Sequence, residues 1–367
     1  TSYYVIENNG TMTIEKAIVI NNSGYKKQNP SGSMVGSSLI LNGGVDNISK
    51  LTIKGGEFTQ MNFIAIKNDA NGELHVEGGT ITSNHSAVQN WFNAELTGGT
   101  IRGQLWTDAW KEGESVGNTV IGGNVDYEGE IVMDVTGSTK PELKVNGGNL
   151  SVTNWRITTA CAALGGKPAV SGGTFKNAVP AEYCAEGFIP TQNEDGTFGV
   201  KEGTYVAKIG EAGYETLAEA IAAAKDGETV KLLADVEQNS EVSINKNITL
   251  DLNGKKIYNT KDIWHDTDPV IVSLIAIRSG AEVTVMGNGT IAAKANDCYT
   301  FVIVDGELTI ENGTFVGNVS VVQVEKGTLT INGGTFSLLQ KWKGEDRYLI
   351  NCIDKAFTDK EAKVAIY

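Results

Sequence analysis

Four tryptophans lie close together in the first half of the chain: Trp91, Trp106, Trp110 and Trp155. Gln89, Asn90 and Asp108 accompany them, and the run Gln104-Leu105-Trp106-Thr107-Asp108-Ala109-Trp110-Lys111-Glu112-Gly113-Glu114 is too polar for a core strand. Exposed indole faces stack on sugar rings while neighbouring amides and carboxylates reach the hydroxyls. The candidate glycan-binding residues are therefore Trp91, Trp106, Asp108, Trp110 and Trp155. A plainer role competes with this one: the indoles pack over corners of the fold and meet no ligand.

Two other groups have the residue types for chemistry. In Trp264-His265-Asp266-Thr267-Asp268, His265 with two carboxylates would hold a cation or a sugar, and Asp266 with Asp268 would do acid/base work on a glycoside. Asp-Thr-Asp-Pro is also what an ordinary exposed turn looks like, and that is the simpler reading. Asp126, Glu128, Glu130 and Asp134 form an acidic cluster whose nearest basic residues in sequence are Arg102 and Arg156. Strand alternation puts Asp126, Glu128 and Glu130 on an outer face, where charges are ordinarily just solvated. With only His75, His85 and His265 in the chain, a histidine-rich metal site has no ligands to draw on. There is no P-loop and no His-Glu-x-x-His. No residue is assigned a catalytic role, and no metal or cofactor is expected.

The elements that must position these residues repeat. A short alternating strand is followed by Gly-Gly, as in Glu73-Leu74-His75-Val76-Glu77-Gly78-Gly79-Thr80-Ile81 and Leu329-Thr330-Ile331-Asn332-Gly333-Gly334-Thr335-Phe336. The second glycines, Gly56, Gly79, Gly99, Gly123, Gly148 and Gly173, recur every 20 to 25 residues. That period, with strands and no helix inside it, marks a β-solenoid whose coils shield each other's apolar rims. Asparagines at the corners (Asn42, Asn68, Asn90, Asn146, Asn332) are placed to ladder their amides between coils.

Residues 1–175 read as the first solenoid block and 176–203 as a linker, which holds Pro180, Pro190 and the turn Asn193-Glu194-Asp195-Gly196. Residues 204–367 read as a second block. It opens with a single short helix: Thr216 and Glu219 form a capping-box pair, Leu217, Ala220, Ile221 and Ala224 share one face, and Gly227 ends it. The chain opens and stops inside the repeat pattern, so more of its own chain or a neighbouring subunit is expected to cover the solenoid ends.

Glycine is plentiful, 44 of 367 residues, and the net charge is −14. The acidic balance opposes binding to nucleic acid or anionic membranes, and no apolar run is long enough to span a bilayer. It suits a protein that lives outside cells. Cys161, Cys184, Cys298 and Cys352 form no Cys-x-x-Cys pair. Cys161 and Cys184 could bridge neighbouring coils, but buried free thiols are the plainer reading.

The Gly-Gly-Thr-Phe/Ile coils, the joint Ser171-Gly172-Gly173-Thr174-Phe175 … Asp195-Gly196-Thr197-Phe198 and the block Tyr214-Glu215-Thr216-Leu217-Ala218-Glu219-Ala220-Ile221 resemble the right-handed parallel β-helix (pectate-lyase-like) surface proteins of gut bacteria and their phages. The resemblance covers nearly the whole chain. It implies an all-β, right-handed parallel β-helix in two blocks, with one short capping helix at the start of the second. It also implies an extracellular attachment or scaffold protein, on a bacterial surface or phage particle, that contacts glycans or host surface proteins.

Enzymes share this fold, so the alternative is a polysaccharide lyase or glycoside hydrolase of the tailspike kind. Pectate-lyase-like members pair calcium-binding carboxylates with a proton-abstracting arginine, for which Asp126–Asp134 with Arg102 or Arg156 would serve. Polygalacturonase-like members use neighbouring Asp pairs near a histidine. This chain has no Asp-Asp dipeptide, and Trp264–Asp268 is its nearest imitation.

Overall fold

The computed structural model describes residues 4–21, 38–61, 63–110, 115–210, 212–265, 267, 270–339 and 347–367. The chain divides into two compact units, Thr1–Gly203 and Thr204–Tyr367. Both are built mainly from short parallel strands in stacked ladders, a repeat arrangement consistent with a solenoid.

In the first unit, each strand pairs with its equivalent roughly one repeat later, and the apolar residues fall into columns. One column runs Ile53, Val76, Leu96, Ile121, Val145, Val170. A second runs Phe58, Ile81, Ile101, Tyr127, Leu150, Phe175. The third runs Ile40, Ile66, Val88, Leu105, Ile131, Trp155. All but the half-buried Trp155 are buried, and the columns meet in one core. A single coil has nothing to bury its apolar side against, so the stack is the smallest unit with a hydrophobic interior.

Three ladders merge into one continuous sheet here because several strands run through the corners. Thr80–Asn90, Thr100–Trp110 and Asp126–Thr136 are 11 residues each, and Glu142–Ile157 is 16. Register shifts at Arg102–Leu105 and Gly129–Glu130 bend these strands from one ladder into the next.

The paired glycines have a defined job. Gly99 sits at φ +81°, and a Cβ there would lie 2.5 Å from the carbonyl oxygen of Gly79 in the coil before it. Both the left-handed backbone and the close approach of successive coils exclude a side chain. Gly99→Ala is expected to destabilise the first unit by about 2 kcal/mol, read as a lower urea midpoint with an unchanged slope. A midpoint equal to that of the parent would show that the coils can separate without cost.

The asparagine ladder forms inside the first unit. Asn8 donates to Asn42 at 2.7 Å, Asn42 to Asn68 at 2.7 Å and Asn68 to Asn90 at 2.8 Å. Asn90 passes the chain to Thr119 Oγ1 at 2.9 Å. Asn332 instead donates to Glu311.

The stretch 176–203, read above as a linker, folds as part of the first unit. Strands Phe188–Gln192 and Phe198–Glu202 form an antiparallel hairpin, Phe198 pairs with Phe175, and Val179 and Cys184 enter the core. Antiparallel pairing gives the hairpin a ladder partner that the parallel repeat no longer supplies. Cys161 and Cys184 are both buried and both free.

In the second unit, the ladders stay separate as sheets of eight, five and five strands. Their columns include Val230, Leu250, Val285, Ile310, Ile331 and Val242, Ile275, Phe301, Val322, Ile350. Phe315 packs between Phe301 and Phe336 in tilted contacts, with ring centroids 5.6 and 5.2 Å away.

The helix spans Leu217–Ala223 with both capping-box bonds present, and it ends at Ala224 rather than near Gly227. Lys246 Nζ reaches the carbonyls of Ile221, Ala222 and Ala224 and so terminates it from a neighbouring coil. The expectation of a single helix is corrected. Short helices also form at Thr159–Ala163 and Asp354–Thr358, with a 3-10 turn at Ala181–Tyr183. Each is about one turn long, too short to leave a 3.6-residue pattern in sequence. Among the described residues, no helix is long and apolar enough to cross a membrane.

Candidate functional site on the outer face of the first unit

Strand Thr100–Trp110 turns Leu105, Thr107 and Ala109 inward, so alternation sends Gln104, Trp106, Asp108 and Trp110 outward. On the neighbouring strands, the outward row in register with Trp106 is Lys67, Gln89, Val132 and Arg156. Several of these residues are buried although they face away from the core. Lys67 is 1% exposed, Gln89 3%, Asp108 8%, and Val132 is fully covered.

The cover consists of tryptophan. Trp91 and Trp110 stack with ring centroids 5.5 Å apart and planes 3° from parallel. Lys67 Nζ lies 4.2 Å from the centre of the Trp91 ring and 2.6 Å from Asp69 Oδ2. Asp108 Oδ2 accepts from Trp91 Nε1 at 2.8 Å and from Gln89 Nε2 at 2.9 Å. Among the described residues, Asp108 Oδ1 and Gln89 Oε1 are buried with no hydrogen-bond partner. Burial is the main reason that the Asp108 carboxyl is pushed up to about 7. The two hydrogen bonds and Arg156 pull the other way, and Asp134, in register on the next strand, adds to the rise.

A second polar group adjoins the first. Trp106 donates its indole N–H to Gln104 Oε1 at 2.8 Å and carries Arg156 over its ring at 4.7 Å. Glu130 accepts from Arg156 at 3.1 Å, Gln104 at 2.8 Å and Asn154 at 2.7 Å. Burial opposes ionisation of Glu130, but these donors together hold its carboxyl below the usual range. Arg102 is committed to Asp126 at 2.6 Å and Glu128 at 3.3 Å. Asp134 accepts from Thr158 Oγ1 at 2.7 Å. Both arginines of the acidic cluster are therefore engaged by carboxylates, the arrangement least suited to proton abstraction.

Of the five tryptophan-site candidates, the structure brings Trp91, Asp108 and Trp110 into contact and sets Trp106 on the same strand face. Trp155 belongs elsewhere. It occupies the inward column next to Ile131 and packs on Phe175 and Tyr183, with centroids 6.5 and 5.4 Å away. Lys67 and Gln89 were not among the candidates, although their register with Trp106 makes them the floor of the site. A Gly-x-Ser-x-Gly motif was expected to be absent, but Gly113-Glu114-Ser115-Val116-Gly117 matches it in form. Ser115 lies in a two-residue strand antiparallel to Ala109–Trp110, is buried, and donates to the carbonyl of Trp91. A nucleophilic serine would instead stand exposed at a strand-to-helix turn.

In the second unit, Trp264 is 41% exposed and meets Tyr299 edge-on at 5.3 Å. Its loop is pinned by Asp297, which was not a candidate and accepts from the backbone of Ile263 (3.0 Å) and Trp264 (2.9 Å) and from Asn259 (2.5 Å). His265 pairs with Ile271 through backbone bonds, and its ring contacts Thr267. Asp266 and Asp268 lie outside the described residues. Among the described residues, no three His, Cys, Asp or Glu side chains are grouped to hold a metal ion. No protein family, curated protein or solved structure matches the chain.

Proposed function

We propose that the chain is a non-catalytic, extracellular attachment or scaffold protein built from two right-handed β-helical blocks. It belongs on a bacterial surface or a phage particle, and the first block contacts glycans through its tryptophan face. One observation carries this reading: Trp106 and Trp110 project from the same side of one strand. Four residues along a strand span about 13 Å, the reach of a short oligosaccharide. The N–H of Trp106 is bonded within the protein, so what it offers a ligand is mainly apolar ring. Gln104, Glu130 and Asn154 beside it supply polar groups that strengthen contact with hydroxyls.

The helix at Leu217–Ala223 closes the start of the second block. The last strands of its three ladders are Thr335–Leu338, Tyr348–Cys352 and Ala362–Ile366, on which Leu349 and Ile366 are exposed.

A glycan array of mixed gut, capsular and host sugars tests the reading. Binding is expected, and it should fall at least about tenfold, or about 1.4 kcal/mol, in Trp106→Ala and Trp110→Ala. An array without hits, or hits untouched by both substitutions, removes the tryptophan face from the account. The polysaccharide-cleaving alternative draws on Asp266 with Asp268, or on the group Asp126–Asp134. Release of reducing ends or unsaturated products from any of these glycans, abolished by Asp266→Asn, would favour it.

A further inference from the structure

In a chain of net charge −14, residues 135–181 run against the trend. They contain Lys140, Lys144, Arg156, Lys167 and Lys176 and a single acid, Glu142. Lys140, Lys144 and Lys167 line one concavity of about 600 Å³ in the first unit, a volume within the range of small-ligand sites. It sits on the ladder that carries Glu142–Val145, not on the ladder that carries Trp106.

The fold itself assembles the three lysines. Lys144 points outward between the inward Leu143 and Val145, and its register partner on the next strand is Ala169. Lys167 is two residues before Ala169, which makes it a diagonal neighbour of Lys144 on the same outer face. Lys140 is tied to the rim by its amine, which donates to the carbonyl of Gly165 at 3.0 Å. Between them the lining is apolar, with Pro141 and Pro168 buried. Cys184 forms part of the lining as a neutral thiol: burial raises its pKa to about 11, against the opposing pull of Lys167. Two carboxylates also line the site. Glu142 is paired with Lys144 at 3.2 Å, and Glu186 is exposed.

The chemistry of the lining names the ligand class. Lysine amines on flexible stems are point charges, suited to an oxyanion with charge on several oxygens, whereas planar carboxylate recognition favours the arginine fork. The one arginine of this region, Arg156, is already engaged with Glu130. The proline floor receives the C–H face of a ring. We infer that this concavity is a second ligand site, which takes a sugar bearing a sulfate or phosphate ester. It stands whether or not the tryptophan face binds sugar.

Titration calorimetry on the full chain tests it with three probes: a heparin-derived sulfated hexasaccharide, the same hexasaccharide desulfated, and glucose 6-phosphate. The sulfated or the phosphorylated probe, or both, should bind at low ionic strength, and the desulfated one should not. Which charged probe binds identifies the ester. Affinity should fall at least about tenfold in Lys140→Ala/Lys167→Ala. It should weaken further as ionic strength rises from about 0.01 to 0.15 M and the screening length drops from about 30 to 8 Å. Both lysines are exposed, so the variant should melt with the parent. Trp106→Ala/Trp110→Ala should leave this binding unchanged, which separates the site from the tryptophan face. No binding of either charged probe at about 5 mM, equal binding of the desulfated probe, or charged-probe binding undiminished in the double lysine variant overturns the assignment.

Discussion

Raising the pH from about 4 to about 8 is expected to cost the first unit up to about 4 kcal/mol of stability, and Asp108→Asn is expected to abolish most of that loss. In the unfolded chain, an aspartate carboxyl titrates near 3.8, whereas burial moves Asp108 to about 7 in the folded unit. Between those values, the folded state holds a proton that the unfolded state has released. The stabilisation is complete below the unfolded value and drains away as pH climbs through the folded one. Above about 7, a carboxylate must be kept under the indoles of Trp91 and Trp110, with Asp134 in register beside it. The hydrogen bonds from Gln89 and Trp91, with Arg156, offset only part of the cost.

Asparagine keeps the shape and the acceptor for Trp91 and Gln89 but cannot ionise. Urea unfolding of parent and variant at several pH values, followed by tryptophan fluorescence, makes the comparison. A parent whose stability holds level from pH 5 to 8, or a variant that still shows the decline, would mean that Asp108 titrates in contact with water.

Asn68→Ala should destabilise the first unit by about 4 kcal/mol. The Asn68 side chain is fully buried, accepts from Asn42, and donates to Asn90 Oδ1, Gly72 O (2.7 Å) and Asn93 O (2.9 Å). Alanine removes four bonds whose partners lie in three coils. Asn42 keeps its bonds to Ser49 O and Glu73 O, and Asn90 Oδ1 keeps that from the Phe92 N–H. The loss therefore falls on Gly72 O, Asn93 O and the continuity of the ladder. Because Asn42 and Asn90 are the next links, the double variant Asn68→Ala/Asn90→Ala should cost less than the sum of the two singles. Chemical denaturation of the three variants measures it. A loss below about 1 kcal/mol for Asn68→Ala would show that water enters the corner and replaces the amide.

Much of this architecture was legible in the residues. Gly-Gly at 20- to 25-residue steps, alternating strands between them and asparagines at the corners are local features. The ladders of Ile, Val, Leu and Phe follow once equivalent positions are laid over one another. The capping box at Thr216 and Glu219 was legible for the same reason, since its bonds span three residues.

What the residues did not reveal depends on contacts one coil apart. Trp106 and Trp155 look alike in sequence, yet register turns one outward over Val132 and the other inward beside Ile131. Gln89 stood out in sequence only as an amide near the tryptophans and Lys67 not at all; their burial beside Trp91, stacked on Trp110, comes from register.

The sequence by itself determined the repeat, the strand faces and the acidic exterior, because periodicity and composition are properties of the chain alone. Tertiary structure decided which outward residues are buried, which arginine meets which carboxylate, and where three lysines gather. Those pairings join residues 24 to 26 positions apart, and only the stacking of neighbouring coils brings such residues within a few ångströms.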